Sequence, residues 1–231
     1  MEDHQLDEGE VWYEGEAADA RLADLGLTRR DIEQALYLAS ADALLCTDLD
    51  SPGAKGFVFW TRSNRYLREE VIPRGWSWTN RDNVLRAIHP DGSFAVTALS
   101  GTGDVGLAHG RGVKTKNPKG AAIAQLVRHN WSVFGGPRNA VPLPLFDDIG
   151  QGPEPGLIPT WVLLYKWTID GIVSELSLPT DMAGKTVNRW KEHIVFGPIP
   201  PSGGGGIEVD LDIPDGPDGE GPDVYVERIA G

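Results

Sequence analysis

The chain has 231 residues, a formal net charge of −13 and an apolar share of 40%, ordinary for a globular protein. That length buries a core in one large domain or two small ones. No window holds the roughly 20 apolar residues of a membrane span, and the acidic start, Met1-Glu2-Asp3-His4, lacks the apolar core of a secretion signal. Cys46 stands alone, which excludes an intrachain disulfide and a cysteine-rich zinc site. The expected setting is therefore cytoplasmic. Arginine is twice as frequent as lysine, which suits a GC-rich bacterial or phage genome.

Residues 1–27 read as an acidic polar leader whose one apolar cluster, Val11-Trp12-Tyr13, docks a single anchor while the rest frays. Thr28 with Asp31 three residues on forms a capping box, with Asp in the place of Glu. A helix follows, with Ile32, Ala35, Leu36, Ala39 and Ala43 at its 3.6-residue period, and it ends near Cys46. Ser51-Pro52 predicts the start of a second helix running to about Ile72, with Phe57, Trp60, Asn64, Leu67 and Val71 on one face. A third, short helix is expected from Thr79 or Asn80, carrying Val84, Leu85 and Ile88, and Pro90-Asp91-Gly92 makes a turn.

Residues 94–100 read as a buried strand, 101–120 as a long Gly- and Lys-rich loop, and a helix begins at Pro118. Residues 135–159 are loop-like. A hairpin follows over 160–178, turning at Ile169-Asp170-Gly171, and its first strand is apolar on both faces, as a central strand is. A short helix is expected over 185–192 and a strand over 194–196. Beyond the Gly203–Gly206 run, residues 207–213 alternate apolar and acidic, and 224–226 add a last edge strand.

Together these elements predict an α+β fold: a single domain over 28–197, with N-terminal helices packed on a mixed, mostly antiparallel sheet. Residues 198–231 form a Gly/Pro-rich acidic tail with one or two edge strands.

Charge is segregated along the chain. Residues 1–50 carry −11, residues 51–140 carry +8 and residues 141–231 carry −10. A basic centre of this kind either presents a positive surface to phosphates or is neutralised by the acidic ends. Arg62, Arg65 and Arg68 fall three apart on the second helix, among Trp60, Tyr66, Trp76, Trp78, Arg81 and Arg86, a mixture that can stack bases and neutralise a backbone. Arg111, Lys114, Lys116 and Lys119 lie just ahead of a helix, another setting that favours phosphate.

Several motifs fail on inspection. Gly101-Thr-Gly103-Asp-Val-Gly106 leaves a strand as a dinucleotide fingerprint does, but Gly110 and Gly112 block the helix that should follow. The ribose-binding acid is missing too, so a Gly turn is the better account. Asp48-Leu-Asp50 is similar to the nucleophile loop of haloacid-dehalogenase-like phosphatases, yet a helical pattern precedes it where that family has a strand. The five histidines lack zinc spacing, so no metal site and no cofactor are expected.

The leading expectation is a non-catalytic accessory protein binding nucleic acid or another polyanion through Arg62, Arg65, Arg68, Arg111, Lys114, Lys116 and Lys119. One alternative is an enzyme acting on a nucleotide-like or phosphorylated small molecule at the Gly101–Lys119 loop. Another is a phage- or plasmid-type module meeting a protein partner through its acidic ends.

Overall fold

The computed structural model describes residues 10–135 and 157–200. Its centre is an eight-stranded mixed sheet made of β1 (Val11–Tyr13), β2 (Ser77–Thr79), β3 (Arg86–Ile88), β4 (Ala95–Thr102), β5 (Lys114–Thr115), β6 (Thr160–Thr168), β7 (Gly171–Ala183) and β8 (Thr186–Ile199). From edge to edge the order is β1-β8-β7-β6-β4-β3-β2, and β5 pairs with the far end of β4. The β1/β8 and β4/β6 pairs are parallel and the rest antiparallel. Four helices pack on it: α1 (Gly15–Asp24), α2 (Arg29–Ala43), α3 (Ala54–Val71) and α4 (Ala121–Phe134). The architecture is the expected α+β one. Among the described residues no helix is long and apolar enough to cross a membrane.

Both faces of the sheet are covered, which explains why β6 is apolar throughout. Trp161, Leu163 and Tyr165 bury against the residues of α1, α2 and α3, whereas Val162 and Leu164 join Ile123, Leu126 and Val127 of α4 on the opposite face. The Asp170-Gly171 turn links β6 to β7 as its chemistry predicts. The Thr28 capping box is realised in full: the Asp31 N–H donates to Thr28 Oγ1, and the Thr28 N–H donates to Asp31 Oδ2. The Asp31 carboxylate also receives both Nη groups of Arg74, at 3.0 and 2.7 Å.

Helix α3 lies along a gap in the sheet. β4 pairs with β3 only at Val96 and Ala95, and with β5 only at Gly101 and Thr102. Between these stretches the backbone of Ala98 bonds to the side chain of Asn64. Asn64 Nδ2 donates to the Ala98 carbonyl at 3.1 Å, and the Ala98 N–H donates to Asn64 Oδ1 at 2.9 Å. One amide side chain thus stands in for a residue of missing strand.

Three stretches differ from expectation. The helix expected over 79–88 is a single 3₁₀ turn, Arg81–Asn83, followed by β3. Asp82 and Asn83 sit at φ +56° and +57°, left-handed values that stop a helix. The helix expected over 185–192 is part of one long strand, β8. Its Val187, Trp190 and Ile194 are spaced three and four apart, a helical period, and all three are buried. The β7/β8 ladder accommodates that spacing through register irregularities between Leu178 and Met182, where bulges switch which side chains face inward. Residues 11–24, read as leader, form β1 and α1: β1 pairs with β8 at Glu192, His193 and Ile194, and α1 buries Ala18 and Leu22. The C-terminal strands expected over 207–213 and 224–226, the tail itself, and most of the 135–159 loop lie outside the described residues.

Candidate functional site

Parallel neighbours end side by side, and here the carboxyl ends of β4 and β6 meet the first turn of α3. A cavity of about 230 Å³ opens at this junction. β4 contributes Ser100, Gly101 and Thr102, β6 contributes Tyr165, Lys166 and Trp167, and α3 contributes Lys55, Gly56 and Phe59; Lys116, just after β5, closes the ring. The space beyond the carboxyl ends of parallel strands is where open α/β sheets bind ligands. The N–H groups of Lys55 and Gly56 fall in the helical turn that has no preceding carbonyls to bond.

Among the described residues, the lining holds three ammonium groups and no carboxylate. Lys55 Nζ stands 5.5 Å from the Trp167 ring centre, a cation–π distance. Lys166 Nζ donates to the Gly103 carbonyl at 2.9 Å, which fixes the start of the Gly-rich loop. Phe59 meets Tyr165 and Trp167 edge-on, with ring centres 4.7 and 5.0 Å apart. The wall is thus a rigid aromatic corner edged by positive charge.

The Gly-rich loop wraps against its own protein. A Cβ on Gly101 would stand 2.7 Å from Val105 Cγ2, and one on Gly103 would stand 2.1 Å from the Gly112 carbonyl oxygen. One on Gly106, at φ +78°, would meet the backbone nitrogen of Ser174 at 2.9 Å. The three glycines of the fingerprint-like run therefore serve close packing of the chain on itself. Gly106→Ala is expected to cost about 2–4 kcal/mol, from left-handed strain and overpacking together, read as a lower urea midpoint with an unchanged slope.

The seven basic residues singled out in the sequence are placed differently from one another. Arg62 pairs with Asp42 of the acidic N-terminal stretch at 2.9 Å, and Arg65 with Glu69 at 2.7 Å. Arg68 donates to the Thr79 carbonyl and to Asn80 Oδ1, lies over the Trp78 ring, and is pushed down to about 10 by desolvation. Arg111 is exposed on the loop and Lys114 is exposed on β5, whereas Lys119 is only 3% exposed. Lys116 alone of the seven lines the cavity. Lys55, Phe59, Tyr165, Lys166 and Trp167 were not singled out as site residues, because only the β4/β6 pairing brings residues 100 and 165 together.

A second cluster imitates a catalytic triad and is not one. Glu175, Ser177 and His193 are each fully buried on the α4-side face. Glu175 Oε1 accepts from Ser177 Oγ at 2.7 Å and lies 2.8 Å from His193 Nδ1, while Ser177 Oγ is 3.1 Å from that same nitrogen. A triad sets the acid and the hydroxyl on opposite ring nitrogens. Here His193 Nε2 faces Glu10, at 3.6 Å, an ion-pair distance too long for a hydrogen bond. Trp12 stacks on the imidazole with centres 3.7 Å apart, and the Gly106 N–H donates to Glu175 Oε2. The arrangement locks β1, β7, β8 and the Gly-rich loop together. No protein-family model matches the chain, and no curated protein or solved structure matches it either.

Proposed function

We propose that this protein binds a small anionic molecule with a flat ring, in the cavity between α3 and the carboxyl ends of β4 and β6. The carrying observation is the convergence of Lys55, Lys116 and Lys166 with Phe59, Tyr165 and Trp167 on one cavity whose lining has no carboxylate. Aromatic walls take a planar ring, and the ammonium groups with the first turn of α3 take a phosphate or carboxylate. At about 230 Å³ the space suits one ring with its charged substituent, not a dinucleotide. The lining offers hydroxyls from Ser100, Thr102 and Tyr165 but no His, Cys, Asp or Glu to act as a base, which favours binding over chemistry.

Titration of the full chain with phenyl phosphate and with benzoate, followed by quenching of tryptophan fluorescence, tests this. Saturable quenching is expected, lost in Trp167→Leu, and weakened about tenfold in Lys116→Gln, the effect of one charge-assisted contact. Absence of binding by either probe at millimolar concentration, or undiminished binding in Lys116→Gln, would remove the reading.

A second reading, an extended polyanion, is favoured by Arg111 on the loop and Lys114 on β5, both exposed in the stretch that leads to Lys116. It differs in its salt response: affinity for single-stranded DNA would fall steeply with salt, with a slope set by the phosphates contacted.

A further inference from the structure

Among the described residues, hydrogen-bond donors without acceptors collect along one seam of the fold that starts on α3 beside the cavity. Trp60 Nε1, Arg68 Nε, and both Nε and Nη1 of Arg86 are buried and have no partner among those residues. Arg86 is the decisive residue. It is 5% exposed, and burial pushes its pKa down, against a pull from Asp82 that Arg81 offsets. An uncompensated buried charge is among the costliest features a fold can carry, and such groups are normally found paired.

Three placements bring these donors together. Trp60, Asn64 and Arg68 stand at i, i+4 and i+8 on α3, so they form one stripe. Asn64, in the middle, is bonded to Ala98 and lies 3.4 Å from Thr97 Oγ1. β3 pairs with β4 as Ala87 with Val96, and continuing that register by one residue sets Arg86 across from Thr97. Arg86 is also the ladder partner of Thr79, whose carbonyl accepts from Arg68 Nη2 at 2.8 Å. The backbone positions of Arg86 on β3 and Arg68 on α3 therefore flank the Asn64 junction, with Trp60 two turns of helix before Arg68.

We propose that this seam is a binding site for a small phosphate-like oxyanion, with Arg86 as buried anchor and the Arg68 Nε–H and the Trp60 N–H as further single donors. A tetrahedral oxyanion has several acceptor oxygens, enough for single charge-assisted N–H donors arriving from three side chains. The depth of Arg86 admits a free ion or the terminal phosphoryl group of a small molecule, and shuts out the backbone of a nucleic acid. Lys55 and Arg68 are about 20 Å apart along α3, so the two sites have separate charged anchors although Trp60 follows the lining residue Phe59.

The test uses the full chain, calorimetric titration and thermal shift, with inorganic phosphate against chloride at matched ionic strength. Saturable stabilisation by phosphate and not by chloride is expected, and to the same extent in Lys116→Gln, a change in the cavity and not in the seam. Arg86→Gln should abolish the response, and Trp60→Phe, which removes only the indole N–H donor, should weaken it about fivefold. No saturable effect of phosphate, or an undiminished one in Arg86→Gln, overturns the proposal. Should Arg86→Gln not fold, Trp60→Phe and Arg68→Gln decide it: affinity unchanged in both overturns it, and affinity weakened in both upholds it.

Discussion

Replacing Asn64 by leucine should lower the free energy of unfolding by about 2–5 kcal/mol, with little change in side-chain volume to blame. The native amide satisfies one N–H and one C=O of Ala98, inside the sheet where no water reaches. Leucine fills the same space and satisfies neither. Each orphaned buried backbone group costs about 1–3 kcal/mol, and both are orphaned at once. Asn64→Asp separates the two halves of this argument. It keeps an acceptor for the Ala98 N–H but sets a second oxygen against the Ala98 carbonyl, so it should be no milder than leucine. Urea unfolding with an unchanged slope would read these as stability losses. A loss below about 0.5 kcal/mol for the leucine variant would mean that a neighbouring chain or water takes over the gap.

Asn64 also shows how far the sequence could be read. Its place on the inner face of α3 follows from its spacing with Trp60 and Leu67, and that much was legible. Its role was not, because nothing local says that β3 and β5 leave β4 unpaired between them. The same division runs through the fold. The Thr28 box and the Asp170-Gly171 turn are local chemistry and form as written. β8 was misread because its buried residues follow a helical spacing that only bulges in the β7/β8 ladder can serve. The charge blocks were plain in the chain, but their outcome depended on long-range docking. Asp42 and Asp31 from the acidic stretch reach Arg62 and Arg74, while Arg86, close by in sequence, receives no such partner among the described residues. The cavity needed the parallel pairing of β4 with β6 across more than sixty residues of chain, which no spacing rule encodes.

The largest expected effect of pH comes from His193. Burial alone would lower its pKa, but the carboxylates of Glu10 and Glu175 outweigh that, and the imidazole is held above its usual 6.5. The groups facing it are Glu10 ahead of β1, Trp12 on β1, Glu175 and Ser177 on β7, and Trp190 on its own strand. A folded-state pKa above the unfolded value means that the native protein holds the proton longer. Stability from this pair is complete below about pH 6.5 and is lost as pH rises through the raised folded value. Chemical unfolding between pH 5.5 and 9 should therefore show a decline that begins near neutrality. His193→Leu should be less stable than the natural chain by about 3–5 kcal/mol at pH 6, since it strands Glu175 in the sheet without its cation. It should also be flat across the window where the natural chain declines. Glu175→Gln added to His193→Leu should recover part of the loss, because a neutral amide still accepts from Ser177 and Gly106 without a buried charge to compensate. A natural chain whose stability rises from pH 6.5 to 9 would show that the imidazole is neutral when folded, and would reduce the cluster to an ordinary hydrogen-bonded one.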